Sequence, residues 1–242
     1  MLSYVRITNL LLGAALLAPL AASAQAPRRH FDAQGRAFFR GPLRLSAGGG
    51  IALYNGDLTA SLGDNFIGPA GQLGLVYTWR PHWSVGGEAT AFQIGARDQL
   101  PERNLAFRGR NLAVTAFVRY EPLRDPSWYA GTRNRFARVK PFLKAGVGYL
   151  LYNPKAYNGT ERPANNTEFL PAERPDYTAT AITVPVGGGL SFFLTRRFWL
   201  TAEGAYGLTT TDHLDDVSQR GNPDRNDGYG TVTFKLEYQL GE

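Results

Sequence analysis

The chain has 242 residues, 28 of them glycine, no cysteine, and a formal charge of +6. The absence of cysteine excludes disulfides, thiolate metal sites and a lipoprotein signal, which needs a Cys at its cleavage point. Basic residues are dispersed through the sequence rather than gathered on a helix, which argues against nucleic acid as a partner, and no segment reaches the eighteen apolar residues expected of a membrane-spanning helix.

Residues 1–24 read as a cleaved signal peptide: Arg6 supplies the positive start, Leu10 to Leu20 the apolar run, and Ala22-Ser23-Ala24 the small-residue cleavage site. Residues 25–42 form a polar, basic lead-in with Arg28, Arg29, Arg36 and Arg40 against Asp32. From Leu43 onward the pattern changes to a period of two. Leu43, Leu45, Ala47, Ile51 and Leu53 alternate with Arg44, Ser46 and Tyr54, the mark of a strand with one apolar and one polar face. Gly48-Gly49-Gly50 interrupts this strand, and because no helix follows, it reads as a place for bending or close packing rather than a phosphate loop.

The second predicted strand carries Leu73, Leu75, Tyr77 and Trp79 outward against Gln72, Gly74, Thr78 and Arg80. Pro81-His82 turns it into a third, with Trp83, Val85, Ala89 and Ala91 against Ser84, Glu88 and Thr90. The fourth sets Leu112, Val114, Ala116, Val118 and Tyr120 against Asn111, Thr115 and Arg119. A long basic connection, Glu121 to Arg138, contains Arg124, Arg133, Arg135 and Arg138. The fifth has Val139, Leu143, Ala145, Val147, Tyr149 and Leu151 outward, with Lys140, Lys144 and Tyr152 inward, and a loop from Asn153 to Asp176 follows it. The sixth reads Ile182, Val184, Val186, Leu190 and Phe192. Arg196-Arg197 leads into the seventh, with Phe198, Leu200, Ala202, Tyr206 and Leu208 against Thr201, Glu203 and Thr209. After a loop around Asp212 to Asp227, the eighth alternates Val232, Phe234, Leu236, Tyr238 and Leu240 with Thr231, Thr233, Lys235 and Glu237.

An even number of strands of this length behind a secretion signal predicts an all-β fold: an eight-stranded antiparallel up-and-down transmembrane β-barrel over residues 43–242, in outer-membrane lipid. Tyr77, Trp79, Trp83, Tyr120, Tyr149, Phe198 and Tyr238 are its expected aromatic girdles. Even-numbered connections then face the periplasm, and the fourth is unusually long for that side. A barrel of this size is filled by side chains. The expected filling is a network of Arg44, Arg80, Glu88, Arg119, Lys144, Glu203, Lys235 and Glu237, since mixed charges in a narrow lumen must pair.

Residues suited to catalysis are sparse. His30 and His82 are expected to be solvated. His213 beside Asp212 offers a base and an orienting carboxylate at the outer rim, but Ser218 is the nearby hydroxyl and makes no convincing nucleophile. Asp212, Asp215 and Asp216 lack the glycine turn and bidentate Glu of a calcium loop. The reading is therefore non-enzymatic, with no catalytic residue, metal or cofactor; a rim hydrolase through His213 and Asp212, a soluble lipid-binding barrel and a purely structural barrel are the alternatives.

Several stretches occur together: Asn153-Pro154-Lys155-Ala156 after an aromatic strand, Ile182-Thr183-Val184-Pro185-Val186-Gly187, Glu203-Gly204, and Thr211-Asp212-His213-Leu214-Asp215-Asp216-Val217-Ser218. Gly56-Asp57-Leu58 and Arg103-Asn104-Leu105 accompany them. On these the chain resembles the Bacteroidota outer-membrane β-barrel family that includes the type IX secretion component PorG. The resemblance implies a membrane anchor or scaffold for periplasmic secretion-complex proteins. The basic periplasmic segments, with Arg124, Arg133, Arg135 and Arg138, are the expected docking surface for an acidic partner.

Overall fold

The computed structural model describes residues 29–241 except 57, 60, 99–101, 103, 133, 134 and 218–225. The signal-peptide reading, Asp57, Arg103, Arg133 and Ser218 lie outside the described residues. Two short strands, β1 (Arg29–Phe31) and β2 (Ala37–Phe39), pair with each other. Eight longer ones follow: β3 (Leu43–Asn55), β4 (Gly68–Arg80), β5 (Trp83–Arg97), β6 (Leu105–Tyr120), β7 (Val139–Asn158), β8 (Ala179–Phe193), β9 (Phe198–Thr209) and β10 (Gly228–Leu240). Each pairs antiparallel with its sequence neighbour, and β10 returns to β3 from Leu240↔Leu43 to Gly228↔Asn55, so the sheet closes on itself and leaves no edge. The start of β3, the end of β10 and the tight turns at Pro81-His82 and Leu194 to Arg197 share one end, here the near end; the longer loops share the far end.

Alternation decides which face is which. Leu73, Leu143, Val147, Tyr149 and Phe234 are among the most exposed large apolar side chains, while Arg44, Arg119, Lys144, Lys235 and Glu237 are buried. The polarity is inside out relative to a soluble barrel, which rules out the soluble lipid-binding alternative. Strands of 13 residues, the length of β3, β4 and β10, tilted as barrel strands are, climb about 30 Å. That matches the hydrocarbon thickness of a bilayer, and an apolar belt of this extent calls for hydrocarbon as its solvent. Trp83 packs on Tyr120 at 4.7 Å and Phe198 on Tyr238 at 5.1 Å, and with Tyr77 and Trp79 they form an aromatic girdle towards the near end. Tyr149 stands apart from it, in mid-strand opposite Val114 and Ile182.

Three features depart from the sequence reading. The basic lead-in contains a hairpin: Asp32 accepts hydrogen bonds from the N–H groups of Gln34 and Arg36, and Gly35 at φ +71° completes the turn between β1 and β2. β7 runs to Asn158, beyond the expected start of the loop at Asn153. Past Tyr152 it pairs only with β6, so Pro154 has one open side and removes no ladder bond there. Finally, a register shift between Thr78 and Arg80 rotates the end of β4, so Arg80 points outward.

Glycines make room for the interior. Gly48 faces inward opposite Lys235, and a Cβ there would lie 2.1 Å from the Phe234 carbonyl oxygen and 2.8 Å from Lys235 Cγ. The glycine run in β3 is thus the floor on which a long lysine lies, which no side chain larger than hydrogen would allow.

Candidate functional site

The interior has two storeys. The storey towards the near end is built of ion pairs. Glu237 on β10 meets Arg44 at 2.9 Å and Arg119 at 3.0 Å, and accepts a hydrogen bond from Thr201 at 2.7 Å. Arg119 also reaches Glu121 at 3.1 Å, donates to Ser191 at 2.7 Å and lies over the Phe142 ring. Lys140 closes the group against Asp125 at 3.0 Å and Glu121 at 3.4 Å. Half-way along the lumen, Lys144 contacts both Glu88, at 2.7 Å, and Glu203; Lys235 holds the other oxygen of Glu203 at 2.7 Å. Each group balances its charge: Arg44, Arg119 and Lys140 against Glu121, Asp125 and Glu237, then Lys144 and Lys235 against Glu88 and Glu203. Balance of this kind offsets the cost of removing the charges from water.

Of the residues expected in the lumen, Arg44, Glu88, Arg119, Lys144, Glu203, Lys235 and Glu237 are brought together. Arg80 is not: it is exposed and stacks over Trp79 at 4.6 Å, because the bulge in β4 breaks the alternation on which its placement rested. Glu121, Asp125 and Lys140 belong to the network and were missing from that set. Lys140 reads as inward in the alternation, four positions before Lys144 on the same face, and is absent only from the charge set. Glu121 continues the inward series of Arg119 past the strand end, and Asp125 enters through a turn that period two does not describe. Burial works against the ionisation of Glu121, but Lys140, Arg119 and Arg44 outweigh it and hold its carboxyl below the ordinary carboxylate range.

The loop from Glu121 to Arg138 closes the near end. Asp125 accepts from the Ser127 N–H and caps a short 3-10 turn, Pro126–Trp128. Trp128 and Tyr129 pack against Phe38 of the β1–β2 hairpin, and Phe38 bridges to Tyr129. His82, expected to be solvated, is instead part of this cap: its Nδ1 lies 2.7 Å from the Glu121 carbonyl oxygen, and its ring sits edge-on to Trp128 at 4.6 Å. His30 packs against Phe38 at 5.7 Å. Arg124, Arg135 and Arg138 project from the cap into solvent, Arg124 lying over the Tyr129 ring at 5.1 Å.

The far storey is apolar, with Tyr54, Phe92, Ile94, Phe107, Leu150 and Tyr152 around it. Into it folds the loop Thr211 to Val217, driving Leu214 and Val217 to full burial. Carboxylates latch it. The Tyr54 Oη lies 2.7 Å from Asp215 and 2.6 Å from Asp227. A phenol has one proton to donate, so satisfying both contacts requires the second proton on one of the carboxyls. Asp227 Oδ2 accepts from the Leu214 N–H, and Asp215 Oδ1 from the Val217 N–H. Burial, and then the charge of Asp215, push the Asp227 carboxyl up to about 9. Asp216 takes the Tyr177 hydroxyl at 2.9 Å and the Glu173 N–H at 2.9 Å, tying the β7–β8 loop onto the lid. Asp212, His213, Leu214, Asp215 and Asp216 are thus gathered in one lid. His213 Nδ1 faces Glu173 across 4.0 Å, a long contact, and Ser218 lies outside the described residues. Between the storeys a cavity of about 20 Å³ is bordered by Gln72, Glu88, Thr90, Glu203 and Tyr229, room for one water.

No protein-family model matches the chain, and no curated protein matches it. Among solved structures it is similar to Neisserial surface protein A, with 14% identity, a TM-score of 0.45 and coverage of 83% of this chain and 98% of that one. Ail, the attachment invasion locus protein of Yersinia pestis, gives 14% identity, a TM-score of 0.45 and coverage of 82% and 97%. A major outer membrane protein from Thermus thermophilus gives 12% identity, a TM-score of 0.43 and coverage of 82% and 99%. At these identities the likeness concerns the arrangement of strands alone, which the pairing from β3 round to β10 already establishes.

Proposed function

We propose that this chain is an exported, non-enzymatic protein of the Gram-negative outer membrane, set with its near end towards the periplasm, and that it works there as an anchor or scaffold for a periplasmic complex. The apolar belt supports the membrane part of this reading. The sidedness follows from an exported chain inserting from the periplasm, which leaves both barrel termini and the short turns on that side.

The scaffold role rests on one observation: the near-end cap is a fixed platform. Phe38, Trp128, Tyr129 and His82 pack the hairpin and the 121–138 loop onto the barrel mouth, and the Glu121–Lys140–Asp125 pairs bolt that loop to the strands beneath. A loop that only connected strands would need no such anchoring. Arg124, Arg135 and Arg138 therefore present positive charge from a packed base, suited to an acidic protein surface. The filled interior supports anchoring over transport, because ion pairs and an apolar lid occupy the path a solute would take. The secretion setting comes from the Thr211 to Val217 motif and its companions, whose resemblance points to a type IX secretion component.

Replacing Arg124, Arg133, Arg135 and Arg138 together by Ala should reduce cross-linking to periplasmic secretion-complex proteins about tenfold, with the barrel still folded by its heat-modifiable gel mobility. Unchanged cross-linking rejects the docking surface. Normal secretion of type IX cargo after deletion of the gene rejects the secretion setting and leaves the barrel in place.

A further inference from the structure

Where the apolar belt stops at the far end, one sector of the barrel carries a shelf of cations. Arg108 and Arg110 on β6 and Lys155 on β7 all face outward; Arg108 stands directly across the strands from Lys155, and Arg110 across from Asn153. Arg108 and Lys155 approach the same Phe169 ring, at 5.9 and 5.3 Å. Arg162 joins them from the β7–β8 loop. It donates to the Ile67 carbonyl at 3.1 Å and lies 5.9 Å over Phe66, whose N–H bonds to Gly95, the β5 residue opposite Arg108. Among the described residues none of these four cations has a carboxylate within ion-pair distance; Arg97 beside them is balanced by Asp64 at 3.8 Å.

Three observations bear on what the shelf meets. Like charges held opposite one another on a sheet repel, so the arrangement favours an anion that they share. The shelf adjoins the belt: Arg110 lies two positions from Leu112, which is 40% exposed, and Asn153 two from Leu151, which is 39% exposed. And among the described residues these unbalanced cations lie on β6, β7 and the loop over them. At the same level β3, β8, β9 and β10 turn out Leu53, Asn55, Thr180, Leu208 and Gly230. A general attraction to a charged surface would not need such confinement, whereas a single bound headgroup would.

We propose that this shelf is a binding site for the phosphorylated headgroup of an outer-leaflet lipid, with phosphate oxygens on Arg108, Arg110, Lys155 and Arg162 and acyl chains along Leu112, Val114, Tyr149 and Leu151. Guanidinium groups match phosphate through paired N–H donors, and each basic group near an anionic membrane surface adds to the attraction. The site rests on the reading that the far end meets the outer leaflet.

The test is native mass spectrometry of the mature full-length chain in phosphatidylcholine nanodiscs, titrated with bisphosphorylated lipid A or with the same lipid stripped of its phosphates. The phosphorylated lipid should bind about tenfold more tightly or better. Changing Arg108, Arg110, Lys155 and Arg162 together to Gln should abolish that preference. A variant with Arg40→Gln, Arg80→Gln and Arg196→Gln, all at the near end, should keep it, and millimolar inorganic phosphate should leave the bound lipid in place. Equal affinity for the two lipids, a preference that survives the far-end changes, or displacement by free phosphate overturns the lipid site while the membrane reading stands. Failure of the chain to enter nanodiscs at all overturns both.

Discussion

At the residue scale, the lumen shows what alternation reveals and where it fails. Arg44, Arg119 and Lys235 were legible as inward residues because every second position in their strands is apolar. Arg80 satisfies the same rule in the sequence, yet lies outside, because one bulge shifts the parity of everything beyond it. Glu237 and Arg80 should therefore respond very differently to loss of charge. Glu237→Gln leaves Arg44 and Arg119 without their shared carboxylate in a buried setting and should cost about 3–5 kcal/mol. Arg80→Gln, a change at an exposed side chain, should stay within about 0.5 kcal/mol. Urea unfolding in lipid vesicles measures both, and similar losses for the two would contradict the assigned lumen network.

At the scale of elements, the strands were readable and the caps were not. A strand announces itself locally through period two. The lid Thr211 to Val217 is polar in five of its seven positions, reading as a solvated loop; it becomes core only because Tyr54, 161 residues from Asp215 and 173 from Asp227, meets both carboxylates. No local pattern encodes a partner so far away. The hairpin before the barrel escaped for the same reason, since Phe38 finds Trp128 and Tyr129 only once the barrel has closed.

The latch also gives the lid a pH dependence whose sign is fixed. The Asp227 carboxyl is raised, to about 9, above the ordinary carboxylate value of 3.8, so between those limits the closed lid holds a proton that an open one releases. Closure is therefore favoured most towards the acid end, and weakens as pH rises, by up to about 1.4 kcal/mol per pH unit. Asp227→Asn supplies an amide N–H to the Tyr54 oxygen and a carbonyl to the Leu214 N–H, as the protonated acid does. Hydrogen exchange at Leu214 and Val217, corrected for the intrinsic rate, should show protection falling from pH 6 to 9 in the native chain and level in the variant. The same slope in both would assign the dependence to another group.

At the scale of the whole molecule, the barrel carries an apolar belt of membrane height between two charged rims. Its belt places it, its paired charges and apolar lid fill it, and its exposed chemistry sits at the ends: arginines on a braced cap at one, and an unbalanced cationic shelf at the other. All of this depends on the chain crossing the outer membrane with the cap inside, and the lack of native cysteine makes that directly measurable. Single substitutions Asn165→Cys in the far-end loop and Gln34→Cys in the hairpin, both at exposed positions, should be probed with a membrane-impermeant maleimide. Asn165→Cys should be labelled in intact cells and Gln34→Cys only after the outer membrane is opened; equal labelling of both in intact cells, or the reverse order, would overturn this orientation.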